Sequence, residues 1–195
     1  MRNVIFIIMI ASFRLSTLAE EDYYPLRVGN EWTMAAVYTV PQKGVANDVF
    51  HQRISSTVVR DGKTYFSYQL WTDQHPKKIN SADLDRKVVN AVYTIDTENK
   101  GSSETISLAL PLKVGASWRQ PLKGRIITKS VIGLETVKAS EKTYEKCFHI
   151  RSTSSDRSYK EDTWLASGVG YVKVDHLFAN GVRFTQTLKE FRPGP

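Results

Sequence analysis

The feature that most restricts how this chain can fold is the absence of any sustained helical period. From Glu31 onward it is a series of short stretches rich in Val, Ile, Thr, Tyr and Phe, cut at short intervals by Gly, Asn and Asp. β-Branched and aromatic residues suit a pleated, half-buried surface, and the interrupting residues suit tight turns. The pattern predicts strands over 31–40, 49–60, 63–73, 88–96, 104–110, 116–120, 125–138, 146–154, 158–166, 170–179 and 182–191. Helix is expected only in short pieces, at 80–86 (Ser81 as cap, Asp83 in the first turn) or at 140–145. Strands in succession without helices between them exclude βαβ units. They point to a mainly β fold, a curled antiparallel sheet or open barrel, with a β-sandwich as the alternative. Polar loops are expected at 41–48 and 96–103, and no linker divides the chain, so residues 20–195 read as one all-β domain.

Two hairpins allow a register argument. In YVKVDHLFANGVRFTQTLKEF, a two-residue Asn180-Gly181 turn would place Val172, Val174 and Phe178 opposite in face to Val182, Phe184 and Leu188. A three-residue loop, Ala179-Asn180-Gly181, pairs Phe178 with Val182 and His176 with Phe184 and puts both sets on one face, as burial requires. Gly181 is then expected in the left-handed conformation of a bulge. By the same test Arg60-Asp61-Gly62 is preferred as a loop, because it aligns Ile54 and Val58 with Phe66, Tyr68 and Leu70.

An octet is written twice, PLRVGNEW at 25–32 and PLKVGASW at 111–118. In each, Pro lacks a donor and suits a strand entry, Gly permits a positive φ, and Trp restarts a strand with a large apolar side chain. The octet therefore reads as a folding corner. Trp32 and Trp118 are expected to be buried, and Gly29 and Gly115 to lie in turns. Two tryptophans lining one exposed groove would instead make a ligand platform.

The N-terminus, MRNVIFIIMIASFRLSTLAEED, has a basic start, an apolar run and small residues before Glu20, the pattern of a signal peptide over 1–19. Arg14 breaks the apolar run short of the roughly 20 residues a bilayer span needs, and no second such run follows, so the mature chain is expected without a transmembrane segment. Cys147 is the only cysteine, which excludes an internal disulfide, and no Asn-x-Ser/Thr sequon occurs. Together these features indicate a bacterial exported protein, periplasmic or secreted. The net charge of +7 is dispersed among acids and apolar residues and is expected on a solvated surface, not gathered into the basic face of a nucleic-acid binder.

The YYPLRVGNEW opening, the LPLKVGASW element at 110–118, the segment from Gly133-Leu134-Glu135-Thr136-Val137 through Tyr144, Cys147 and Ile150, and the close Trp164-Leu165 with Gly168-Val169-Gly170-Tyr171-Val172-Lys173 carry a resemblance. In this order they resemble a family of uncharacterised bacterial exported proteins whose function is not established. Residues 138–144 depart from that family's VPAGTF turn, reading KASEKTY. The resemblance implies a fold similar to the carriers of outer-membrane lipoproteins, which curl an antiparallel sheet around an apolar cavity.

No constellation carries a defined chemistry. Cys147 and His149 share a strand face at a spacing open to a metal or a nucleophile pair, but the other histidines, His51, His75 and His176, are isolated. Asp175 and His176 point to opposite faces, which argues against a triad, and Gly168-x-Gly170 is too short for a phosphate loop. The carboxylate pairs Asp83/Asp85 and Glu161/Asp162 are expected at solvated edges. No catalytic residue, metal site or cofactor is therefore assigned. What remains is the aromatic content, with Tyr65, Phe66, Tyr68 and Trp71 on one strand, Tyr65 and Trp71 sharing a face and Phe66 and Tyr68 the other. These four are the candidates for a ligand-binding face. The function expected is a non-enzymatic exported protein binding a lipid, another apolar small molecule or an envelope protein through a concave sheet face. Its alternatives are a structural or interaction module with a filled core and, third, an envelope hydrolase.

Overall fold

The computed structural model describes residues 21–195 except 77–79, 98–102 and 123, and the side chains of 80–82 are likewise outside the description. The signal-peptide reading of 1–19, Lys77-Lys78 and most of the 96–103 loop fall outside the described residues. The protein is all-β, with twelve antiparallel strands: β1 Glu31–Val40, β2 Gly44–Arg60, β3 Lys63–Thr72, β4 Asn80–Val88, β5 Ala91–Ile95, β6 Thr105–Ala109, β7 Ser117–Leu122, β8 Arg125–Ala139, β9 Lys142–Ser154, β10 Tyr159–Ala166, β11 Gly170–Phe178 and β12 Arg183–Arg192. They form one sheet in the order β6-β5-β4-β3-β2-β1-β12-β11-β10-β9-β8-β7.

The order contains two consecutive six-stranded meanders, β1–β6 and β7–β12, joined by the β1–β12 ladder. The free edges β6 and β7 approach each other and are bridged by side chains: Gln120 Nε2 donates to Thr105 Oγ1 at 3.1 Å, and Lys129 Nζ to the Ser107 carbonyl at 3.0 Å. The sheet is thus a nearly closed barrel, which covers the edges that would otherwise template aggregation. The first strand of each meander thus lies against the last strand of the other, β1 against β12 and β7 beside β6.

Each meander opens on one copy of the octet, and the two corners are wired alike. Gly29 N donates to Ile54 O at 2.8 Å, Asn30 N to Arg27 O at 3.1 Å, and Ile54 N to Asn30 O at 2.9 Å. In the second copy Gly115 N donates to Val131 O at 2.8 Å, Ala116 N to Lys113 O at 2.9 Å, and Val131 N to Ala116 O at 2.9 Å. Both receiving strands bulge at the next residue, between Ile54 and Ser56 and between Val131 and Gly133. Gly29 and Gly115 have φ of +92° and +87°, as the turn reading requires. Trp32 is buried; Trp118 is only partly buried, against a different core cluster. The octet is a corner, and its two tryptophans share no groove.

Several local expectations need correction. The segment 80–86 is not a helix but part of β4, whose backbone is satisfied by ladders to β3 and β5. Residues 140–145 are likewise not helical: Ala139 pairs with Lys142 around a two-residue turn with Ser140 at φ +54°. The expected 41–48 loop shrinks to a turn at 41–43, with β2 starting at Gly44. The predicted 88–96 strand is divided at Val89-Asn90, where Val88 pairs with Ala91. The β2–β3 turn is two residues, Asp61-Gly62, both at positive φ, and not three. The bulge at Ser55 then restores the Ile54–Tyr68 pairing that the longer loop was invoked to explain. The β11–β12 loop is as expected: Phe178 N bonds to Val182 O at 2.9 Å, His176 pairs with Phe184, and Gly181 has φ +78°.

The two corners differ at their outer side. A Cβ on Gly29 would lie 2.9 Å from Pro195 Cδ and 3.1 Å from Gly194 Cα, whereas one on Gly115 meets nothing within 4 Å. The C-terminal tail docks there, with Gly194 N donating to Asn30 Oδ1 at 2.8 Å. Both Gly→Ala changes carry the positive-φ cost of about 1–2 kcal/mol. Gly29→Ala is expected to destabilise by more than Gly115→Ala in urea unfolding, and to speed amide exchange at Gly194 selectively.

Candidate functional site

The N-terminal segment that precedes β1 divides the barrel interior. Tyr23 belongs to a buried hydrophobic cluster with Val92, Leu108, Leu112, Val131, Ile150 and Leu165, drawn from β5 to β10. On the other side, between β1–β3 and β10–β12, the side chains leave a cavity of about 450 Å³. That volume lies within the roughly 300–1,000 Å³ of small-molecule sites. Tyr24, Pro25 and Leu26 form the wall between the two regions.

Strand alternation builds the cavity wall. Met34 of β1 pairs with Phe50 of β2, and Trp32 with Gln52. Gln52 pairs in turn with Leu70 of β3, and Ile54 with Tyr68. Across β1–β12, Tyr38 pairs with Phe184 and Ala36 with Gln186. His176 of β11 faces both Phe184 and Glu161 of β10, and Val174 faces Thr163. Tyr38 and Phe184 stack at 4.5 Å between ring centroids, with Phe50 edge-on to Phe184 at 5.8 Å. Trp32 is fixed by its indole, which donates to Val169 O at 2.7 Å.

A buried polar knot holds the dividing segment. Asp85 accepts hydrogen bonds from Tyr24 Oη at 2.5 Å, Tyr68 Oη at 3.0 Å and Thr94 Oγ1 at 2.5 Å. Burial raises its carboxyl above the ordinary range, with the hydroxyl donors, Thr94 first, pulling the other way. Burial, reinforced by the negative Asp85, holds the Tyr24 and Tyr68 phenols well above their usual range. Lys129 lies in the same interior, its ammonium shifted down by burial against the opposing pull of Glu161 and Asp85. The expectations that Asp85 lies at a solvated edge and that the net positive charge lies on a solvated surface are therefore corrected at Asp85 and at Lys129. Asp85 is needed as the shared acceptor for an inserted tyrosine, and Lys129 helps close the β6–β7 edge.

Glu161 and Asp162 are not a solvated pair either. Glu161 lines the cavity, and Asp162 takes the other face, where it lies 2.9 Å from His149 Nε2 and accepts from Arg151 Nε at 2.8 Å. His149 Nδ1 is 2.6 Å from Glu135 Oε1, and its ring stacks on Trp164, whose indole donates to Glu135 at 2.8 Å. Hydrogen bonds from Trp164 and then His149 hold Glu135 below its ordinary value. Cys147 is fully buried, its thiol directed at Tyr144 O at 3.3 Å and its pKa pushed up by burial. It packs with Val137, Ala139, Trp164, Val172 and Leu188, so Cys147 and His149 do not form a nucleophile–base pair. Asp175 pairs with Arg183, away from His176. Among the described residues no group of three or more His, Cys, Asp or Glu is placed to hold a metal ion.

Of the four aromatic candidates, Tyr68 lines the cavity and spends its hydroxyl on Asp85. Phe66 packs against the first core cluster, beside the cavity wall but not on it. Trp71 stacks on His51 at 5.1 Å, and Tyr65 donates to Glu104 at 2.6 Å; neither lines the cavity. The wall residues that the sequence reading missed are Met34, Tyr38, Phe50 and Phe184. Each sits in an alternating strand, but only the register across the β1–β2 and β1–β12 ladders brings them together.

No family model matches the chain, and no curated protein matches it. Among solved structures, a Bacteroides fragilis protein described as exported and of YmcC-like fold matches with TM-score 0.55 and 11% identity. The match covers 89% of this chain and 100% of that one. A Parabacteroides distasonis protein described as a lipoprotein matches with TM-score 0.46 and 12% identity over 88% and 99% of the two chains. An outer-membrane lipoprotein-sorting domain from Vibrio parahaemolyticus reaches TM-score 0.29 at 10% identity over 89% and 86%. The first of these establishes the shared fold, a curled antiparallel sheet; the lower scores carry no further argument.

Two outcomes test the site's electrostatics. Asp85→Ala strands three hydroxyls, each costing about 1–3 kcal/mol when left unsatisfied, and is expected to destabilise far more than Asp85→Asn in chemical denaturation. Glu104 is held at about 2, below its ordinary 4.5, chiefly by the Arg86 hydrogen bond. Its stabilising contribution is present above 4.5 and is lost as pH falls toward 2. The stability difference between wild type and Glu104→Gln should therefore shrink across that window.

Proposed function

We propose that this chain is an exported, non-enzymatic bacterial protein that holds an apolar small molecule in the cavity between β1–β3 and β10–β12. The observation that carries the reading is a cavity of about 450 Å³ walled by Trp32, Met34, Tyr38, Phe50, Leu70 and Phe184, beside a buried hydrophobic cluster that holds Tyr23 in the other half of the barrel. A filled-core structural module would extend that packing through both halves. The B. fragilis protein described as exported shares the fold, and the apolar N-terminus ahead of Glu20 supports the same location. Among the described residues no helix is long and apolar enough to cross a membrane. Within this reading a lipid is the natural ligand, since an envelope protein handling apolar cargo meets lipid first.

Titration with 1-N-phenylnaphthylamine, an uncharged fluorescent probe, is expected to give saturable binding at one probe per chain. Val174→Trp places bulk in the cavity and is expected to weaken binding at least about tenfold, a change of roughly 1.4 kcal/mol, with the thermal midpoint nearly unchanged. Failure of the wild-type protein to bind the probe would sink the reading.

A further inference from the structure

The cavity has a polar corner whose composition restricts what can enter. His176 lines the cavity, flanked by Tyr159 edge-on at 4.5 Å and Phe178 stacked at 4.0 Å. Its Nδ1 lies 3.5 Å from Glu161 Oε2. An ionised carboxylate only accepts, so beside Glu161 the neutral ring favours the tautomer with its hydrogen on Nδ1, which leaves Nε2 as an acceptor. That Nε2 is buried and has no hydrogen-bond partner among the described residues. A buried acceptor left without a donor is destabilising, so the site gains when a donor arrives.

The rest of the wall points the same way. Gln52 and Gln186 line the cavity and add amide groups able to donate or accept. Glu161 is the one carboxylate among the described lining residues and none of them is Lys or Arg; the second histidine there, His51, has both ring nitrogens engaged, with Asp73 Oδ1 at 2.9 Å and Thr33 Oγ1 at 3.3 Å. Lys129 lies in the interior but is bonded to the Ser107 carbonyl and does not line the cavity. An anionic head would therefore meet a carboxylate and an acceptor nitrogen with no cation to compensate, and its desolvation would go unrepaid.

We propose that the cavity selects an uncharged amphiphile with a hydroxyl- or amide-bearing head, which donates to His176 Nε2, over an anionic amphiphile of the same chain. This inference rests on the apolar-ligand reading above and adds the chemistry of the head group. A glycerol ester of a fatty acid fits the site, and the free fatty acid does not. Charge complementarity sets the choice, because the apolar wall treats the two chains alike.

Displacement of 1-N-phenylnaphthylamine by a 1-monoacylglycerol and by the fatty acid of equal chain length, at a pH where the acid is ionised, tests it. The monoacylglycerol is expected to bind at least about tenfold more tightly. His176→Phe keeps a ring in place and is expected to weaken the monoacylglycerol relative to the fatty acid by a similar factor, each displacement being read against the probe affinity measured for that variant. Glu161→Gln is expected to narrow the gap between the two ligands, and it serves as the deciding variant if His176→Phe loses the probe. Equal or tighter binding of the fatty acid, no displacement by either ligand, or an unchanged ratio in Glu161→Gln overturns the head-group assignment while probe binding preserves the cavity. Absence of probe binding to the wild-type protein overturns both.

Discussion

The interior depends on one buried carboxylate. Asp85 on β4 gathers Tyr24 from the N-terminal segment, Tyr68 from β3 and Thr94 from β5. A charge-capable group in such a place is costly unless it is saturated with hydrogen bonds, and three hydroxyl donors saturate it. The consequence reaches beyond the knot. Pinning Tyr24 fixes the path of residues 23–26, which puts Tyr23 into the packed half and Leu26 onto the cavity wall. The barrel thus has a filled side and an unfilled side because a strap of its own chain is tied across it. Further ties at Asp22, to Lys87 Nζ at 2.5 Å and from Gly168 N at 2.7 Å, hold the same strap to β4 and to the β10–β11 turn.

The repeated octet shows how a short motif sets a large architecture. Three equivalent hydrogen bonds at each corner present Gly and its successor to the same position of the neighbouring strand, one residue before a bulge. A bulge bends its strand and increases the local twist. One such bend in each meander, together with the bulges in other ladders, adds to the curl that brings β6 toward β7. The corner at Gly29 has the additional task of receiving the chain's end. The corner at Gly115 does not, and its preceding Leu110–Pro111 peptide is cis.

Most of the fold was legible because strand alternation and turn chemistry are local. The boundaries of β1 and β10 and the bulged β11–β12 loop followed from residue types alone, as did both octet turns. Failures came where a distant partner decides. Residues 80–86 carry a plausible cap, but strands on both sides offer the backbone a complete ladder. The Asp61-Gly62 turn was misread because the alignment of Ile54 with Tyr68 was credited to loop length, when a bulge at Ser55 produces it. Asp85 and Glu161 were assigned to solvent because their neighbours in sequence are polar, although their neighbours in space are tyrosines. The same limit applies to the cavity. Tyr68 was reachable from its own strand, but Tyr38, Phe50 and Phe184 converge only once two ladders and the β11–β12 loop are in register.

The half-filled interior is itself an argument about selection on this chain. A barrel of this size has a simple way to gain stability, which is to enlarge the residues facing the gap and so bury more apolar surface. The chain has the large residues: aromatic side chains crowd the same wall, yet they lie around the space instead of across it. It also carries a buried imidazole nitrogen without a partner, beside a carboxylate, on a surface where a Leu or Phe would remove the penalty. Either feature alone fits an imperfect core. Both on one wall, facing a region bordered by a strap with its own dedicated anchor, fit a site whose missing contacts are supplied by something other than the chain.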